Sequence, residues 1–203
     1  RKEGRAISTT HEVTNQVPPL TGHDPIAGDA ALSEACVRHA DRAPMAVPFD
    51  APEVVCTTDR GSFTIRLDGR RAPNTCAVFL DLIGKGYFDG QAFHRVVPDF
   101  VIQGGDPDGT GWGGPGHSIR SEWSDAPYER GTVGIAHSGK DTGGSQFFVT
   151  ETATPWLDGK HAIFGECKQV ELVKKIARVP VGPGNRPKAE VKLERAEVLW
   201  GKF

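Results

Sequence analysis

Beyond residue 52 the apolar and polar positions follow one period after another. Val54 to Thr58 is rich in β-branched residues, Asp59-Arg60-Gly61 is a turn signal, and Phe63, Ile65 and Leu67 then alternate with polar residues. A period of two on either side of a short Asp/Gly turn predicts a β-hairpin. The period then lengthens. Cys76, Phe79, Leu80 and Ile83 fall at i, i+3, i+4 and i+7 behind Pro73, and Gly84 and Gly86 supply a stop. This predicts an amphipathic helix over 73–83 with proline at its first position. Short apolar runs recur between Gly-rich loops at 92–97, 100–103, 132–136, 146–150 and 162–164, a texture of barrel strands. Leu172, Val173 and Ile176 predict a second helix over 170–177, and Val191, Leu193, Val198 and Trp200 a closing strand or strands.

Residues 1–50 are different. They hold five prolines (Pro18, Pro19, Pro25, Pro44 and Pro48) and one stretch of helical spacing, Leu32, Ala35, Cys36 and Ala40 behind Asp29. Such a segment reads as an N-terminal arm or linker with one short helix, ahead of a domain over 51–203. The lack of an initiating Met is expected of a processed chain or a piece of a longer one.

Composition narrows the class. With 25 Gly and 15 Pro in 203 residues, a turn-rich β architecture is favoured over a helical bundle. The arm carries 5 Lys+Arg and 7 Asp+Glu of the totals of 24 and 26, so the rest of the chain is neutral. A neutral domain without a basic cluster is not expected to bind nucleic acid. No apolar run reaches the ~20 residues of a spanning helix, so a soluble protein is expected, its compartment left open, cytoplasmic or periplasmic if bacterial; a monomer is expected as well. Cys36, Cys56, Cys76 and Cys167 lack the paired spacing of a zinc site and read as small buried hydrophobes.

Three segments carry the chemistry: Phe93-His94-Arg95-Val96-Val97-Pro98-Asp99-Phe100-Val101-Ile102-Gln103-Gly104-Gly105-Asp106, then Gly143-Gly144-Ser145-Gln146-Phe147-Phe148, then Trp156-Leu157-Asp158-Gly159-Lys160-His161 with Phe164-Gly165. In order and spacing they resemble the cyclophilin family of peptidyl-prolyl cis-trans isomerases, over 53–200, with loops at 106–117 and 137–144 closer to bacterial members. The resemblance implies a mainly β fold, a closed eight-stranded antiparallel barrel capped by two α-helices. It implies catalysis by Arg95, oriented by Gln103, with Phe100, Val101, Phe148, Leu157 and His161 around the proline ring. It also implies a groove for the residues before the proline at Ala136, His137 and Gln146, and a Trp156 contact for cyclosporin. Two positions depart from the common pattern: Val101 where methionine is frequent and His137 where asparagine is frequent. The partners implied are proline-containing peptides and folding proteins, as for a folding chaperone.

These residue types suit that reaction. The X-Pro amide resists rotation by ~18–20 kcal/mol because of its partial double bond, yet no bond breaks. A catalyst must favour the twisted state, in which the prolyl nitrogen regains a lone pair. A planar, permanently charged guanidinium can donate to that nitrogen while another donor is held elsewhere, and no cofactor or metal is required. Other readings fare worse. Gly109-Thr110-Gly111-Trp112-Gly113-Gly114 fits G-x-G-x-x-G, but Pro115 follows and no helical pattern begins, so it reads as a flexible loop. His137, Ser138, Asp141 and Ser145 lack a G-x-S-x-G context, and His94, His117, His137 and His161 lack metal-ligand spacing. The alternative of a different class is a catalytically weak module that binds proline-containing segments as a chaperone or scaffold part.

Overall fold

The computed structural model describes residues 52–199. The arm reading for 1–50 and its helix lie outside the described residues. The first hairpin forms as the alternation predicts: β1 (Glu53–Thr58) pairs antiparallel with β2 (Gly61–Leu67), Val54 opposite Ile65 and Cys56 opposite Phe63, all four buried. Helix α1 (Pro73–Gly84) follows, with Cys76, Phe79, Leu80 and Ile83 buried as their spacing requires. Its N-terminus is capped from a distance. Ala72 offers no side-chain cap, and the Glu122 carboxylate instead accepts the Asn74 and Thr75 N–H groups at 3.0 and 2.8 Å and the Thr75 hydroxyl at 2.7 Å. That meets the orphan donors of the first turn and places negative charge at the positive end of the helix dipole.

The remaining strands are β3 (Gln91–Ala92), β4 (Arg95–Val97), β5 (Val101–Gly104), β6 (Thr132–Ile135), β7 (Phe147–Thr150), β8 (Ile163–Cys167) and β9 (Lys192–Leu199). Helix α2 (Val170–Ala177) lies between β8 and β9 and buries Val173, Ile176 and Ala177. All nine strands join one antiparallel sheet in the order β3-β9-β1-β2-β8-β6-β7-β5-β4. The two ends of that order are consecutive in the chain, separated by Phe93 and His94, and the Phe93 N–H still bonds the Val191 carbonyl at 2.9 Å. The segment 91–97 is therefore one bent strand shared by both edges, and it curls the sheet into the expected eight-stranded barrel. The single run expected at 92–97 is broken because the strand changes partner there, from β9 to β5.

Inside lies the main core, with Phe63, Phe79, Phe88, Phe93, Phe147 and Phe164 among its largest members. Phe79 meets Phe147 and Phe164 edge to face at 5.4 and 5.0 Å, joining α1 to the sheet. Cys56, Cys76 and Cys167 are free and buried, and burial pushes the Cys76 thiol up to about 12. Such thiols pack as hydrophobes and are chemically inert.

Candidate active site

A second apolar cluster sits on the other face of the sheet, outside the barrel. Register builds it. Arg95 pairs with Gln103, Gln103 with Phe148 and Phe148 with Gly134, a row running across β4, β5, β7 and β6. Residues directly opposite on paired strands project to the same side, so one guanidinium, one amide and one phenyl ring share a face. Gly134 keeps the row open. A Cβ there would stand 2.3 Å from the Tyr128 hydroxyl and 2.6 Å from Cζ of Phe148, so the glycine makes room for both rings.

The apolar bowl consists of Val101, Tyr128, Phe148 and Ile163, with Phe100, Ala126, Ala136 and Leu157 packed on it. Tyr128 lies flat against Phe148 at 5.7 Å, donates from its hydroxyl to the Ala162 carbonyl at 3.3 Å, and receives Asp158 Oδ1 on its N–H at 2.7 Å. Phe100 stands on a turn whose preceding residue, Asp99, has φ of 56°. Buried Glu151 holds that turn, accepting the Asp99 N–H at 2.9 Å, giving its own N–H to the Phe100 carbonyl at 2.8 Å, and pairing with Arg178.

The polar edge is a relay. Arg95 Nη1 donates to Gln103 Oε1 at 3.4 Å, Gln103 Nε2 donates to Gln146 Oε1 at 3.0 Å, and Gln146 Nε2 donates to the Gly113 carbonyl at 2.9 Å. Because a guanidinium has five N–H donors, that one contact does not exhaust Arg95. Its carbon lies 5.6 Å from the Phe100 ring centroid, so charge and apolar bowl adjoin. Burial draws its pKa below the ordinary arginine value, and it remains a cation at neutral pH. Past the relay a groove of about 840 Å³ opens, lined by Gln103, Trp112, Ala136, His137 and Gln146 among others. Its far wall is the glycine-rich loop. No helix begins there, and the loop is pinned rather than loose: the Asp106 carboxylate accepts the Asp108 and Gly111 N–H groups at 2.8 and 2.5 Å.

Every residue expected at the site from the sequence falls in this region. Trp156, 54% exposed, stands 5.7 Å from the Phe100 ring, and His161 meets Phe148 edge-on at 5.6 Å. Sequence reasoning missed Tyr128, Ile163, Gly134 and the Gly113 carbonyl. Tyr128 lies in a stretch without regular periodicity, and the need for Gly134 appears only once its cross-strand neighbours are known. Of the discarded constellations, His137 and His161 come into ring contact. Ser145 is buried and gives its hydroxyl to the Gly105 carbonyl at 2.6 Å, while His137 bonds the Lys160 carbonyl. Among the described residues no group of three or more His, Cys, Asp or Glu side chains could hold a metal ion, and no helix is long and apolar enough to cross a membrane.

Together these features make one class of protein: an antiparallel barrel with a cation and an apolar bowl on its outer face. The family model for cyclophilin type peptidyl-prolyl cis-trans isomerases matches residues 54–198. A Neurospora crassa protein named peptidyl-prolyl cis-trans isomerase-like 1 is 42% identical over 155 residues, covering 73% of this chain and 95% of its own. A Synechococcus elongatus peptidyl-prolyl cis-trans isomerase is 44% identical over 122 residues, covering 60% and 84%. A Cryptosporidium parvum cyclophilin type isomerase has a crystal structure similar to this one, with a TM-score of 0.72, 30% identity and coverage of 75% and 99%. A second structure of it, in the presence of the dipeptide Ala-Pro, gives 0.70. This chain belongs to the cyclophilin-type peptidyl-prolyl cis-trans isomerases and is an isomerase of that family.

Proposed function

We propose that this protein speeds rotation about X-Pro bonds in peptides and folding proteins, with Arg95 as the catalytic residue. What supports the reading is the shared row: a cation with one donor on Gln103, on the same face as a phenyl ring set in an apolar bowl. The proline ring seats among Phe100, Val101, Phe148 and Leu157, with His161 at the edge. Burying the ring there fixes the prolyl side, so rotation takes place on the acyl side. As the amide twists, its nitrogen becomes pyramidal and basic, and Arg95 donates to the lone pair that appears only in the twisted state. The residues before the proline run along Ala136, His137 and Gln146. The chemistry needs no electron or group transfer, and the chain's own side chains perform each of these roles.

Arg95→Ala tests the assignment. Removing one preorganised donor is expected to lower kcat/KM by two to three powers of ten, about 2.7–4 kcal/mol, with peptide affinity less affected. Arg95→Lys should recover only part, since an ammonium cannot serve Gln103 and the nitrogen in one planar fork. The measurement is exchange NMR on an Ala-Pro peptide, alongside a melting curve. Activity of the folded Ala variant within threefold of wild type would refute the catalytic role and favour a proline-peptide-binding module without catalysis.

A further inference from the structure

His137 carries more than its place in the groove requires. Its ring stacks on His161 with centroids 4.1 Å apart and planes 28° from parallel. The Gly139 N–H points at its Nδ1 at 3.1 Å, so that nitrogen accepts and the proton sits on Nε2, which donates to the Lys160 carbonyl at 2.7 Å. His161 in turn donates from Nδ1 to the Ile135 carbonyl at 3.1 Å and meets Phe148 edge-on. His137 is thus held as a neutral tautomer, and the pair joins the end of β6 to the 158–162 loop beside the bowl.

We propose that neutral His137 is a positioning residue that braces His161 at the edge of the proline pocket, and that protonating it releases the brace and weakens peptide capture in acid. The proposal rests on the isomerase reading above. A second proton on His137 would sit on Nδ1, facing the Gly139 N–H, so two donors would meet where a donor now meets an acceptor. The ring would have to turn away, breaking the stack. The charges around it add to the effect. Arg120 from the 117–126 loop, Lys140 from its own loop, Lys160 and His161 from the 158–162 loop and His117 across the groove are basic, against Asp108 and Asp141. Asp141 is engaged with the Ser121 N–H at 2.8 Å and is drawn down by Lys140 and Arg120 as well.

His161 responds in the same direction. Burial first, then His137 and Lys160, hold its pKa below the usual ~6.5, against the Ile135 carbonyl, which raises it. Its neutral form therefore persists as the pH falls through ~6.5, and the stability it contributes above that value is lost only below it. Arg95 does not titrate in this range. Acid should therefore raise KM while leaving kcat nearly unchanged.

The test is the pH profile of kcat and KM on an Ala-Pro peptide for the full chain, wild type and His137→Asn, with a melting curve at each pH. From about pH 7.5 down to the lowest pH at which the melting curve shows the chain folded, wild-type KM should rise severalfold with kcat within about twofold. Asn cannot reach the Lys160 carbonyl or stack, so H137N should show a raised KM already at the higher pH and little further change. His137→Phe keeps a flat ring against His161 without a titrating proton, and should restore part of the KM while staying insensitive to pH. By NMR, the His161 titration should move up in H137N, because one of the groups holding it down is gone. A wild-type KM flat over this range, or an H137N profile superimposed on wild type, would overturn the proposal. Absence of catalysis at every pH would instead sink the isomerase reading on which it rests.

Discussion

Replacing Gly134 with alanine tests the apolar bowl without touching any polar group. The added methyl would lie 2.3 Å from the Tyr128 hydroxyl and 2.6 Å from the Phe148 ring. Carbon atoms rest comfortably at ~3.5–4.0 Å, so the surroundings must open by roughly 1 Å. The strand cannot yield easily, because β6 is laddered to β7 on one side and to β8 on the other. The two rings must yield instead. Tyr128 is 1% exposed, tied by its hydroxyl to Ala162 and by its N–H to Asp158, whereas Phe148 is 5% exposed and its ring has no polar tether. Phe148 should therefore swing outward, into the space assigned to the proline ring.

Two numbers follow. Overpacking a tight core typically costs about 1–3 kcal/mol, and at about 2–4 °C per kcal/mol for a domain of this size the melting temperature should fall by roughly 2–12 °C. A displacement of about 1 Å at a reacting site can cost on the order of 10²-fold in rate, so kcat/KM should fall by at least about tenfold, mostly through KM. Tyr128→Phe in the same chain removes the nearest clashing atom but not the ring at 2.6 Å. The double variant should therefore recover part of the stability and little of the activity. The assays are a melting curve and exchange NMR on an Ala-Pro peptide. If G134A folds with unchanged melting temperature and its kcat/KM stays within twofold, Phe148 is not the seat of the proline ring.

Two further outcomes are expected. Glu122→Ala removes the remote cap of α1, leaving the Asn74 and Thr75 N–H groups without their carboxylate; losing a cap costs about 1–2 kcal/mol, so the melting temperature should drop by roughly 2–8 °C with kcat unchanged, and an unaltered melting curve would show that the cap contributes nothing. Cyclosporin should compete with peptide substrate, because Trp156 offers an exposed indole beside Phe100; Trp156→Ala should weaken that inhibition at least about tenfold, and an active enzyme indifferent to high micromolar cyclosporin would count against the pocket as assigned.

The sequence made legible what depends on period and short-range turn chemistry. The β1–β2 hairpin follows from alternation about Asp59-Arg60-Gly61, and Val170–Ala177 is helical over the span its apolar spacing marks. The candidate site residues were legible for a different reason: long motifs keep family order and spacing, so a resemblance supplied roles that composition never could. What stayed hidden depends on distance in sequence. The cap of α1 comes from Glu122, 47 residues beyond Thr75, and no local rule points there. Closure of the barrel depends on segment 91–97 changing partners at Phe93 and His94, which looks from the sequence like one uninterrupted strand. The Gly109–Gly114 loop looked flexible because glycine permits anything, and its shape comes instead from one carboxylate, Asp106, gathering backbone donors.

The division between strand and loop has a consequence for how this site can vary. Arg95, Gln103 and Phe148 stand on strands β4, β5 and β7, and β5 and β7 are hydrogen-bonded on both sides, so their spacing is fixed by the ladder. His137, Trp112, Trp156 and His161 stand on the connecting segments, where a change of side chain or length perturbs few backbone bonds. The strand that Arg95 pairs with is therefore fixed on both sides, and in the proposed mechanism the donor assigned to the prolyl nitrogen is set by that ladder while the surface for the residues flanking the proline is adjustable. One hydrogen-bonded relay crosses the boundary: Gln146, just before β7, ties the Gly113 carbonyl to Gln103 and hence to Arg95. A loop substitution that displaces Gly113 can reach the Arg95 guanidinium through that relay. Loop changes that leave it intact should therefore act on KM and on preference among peptides, whereas any that break it should begin to lower kcat as well.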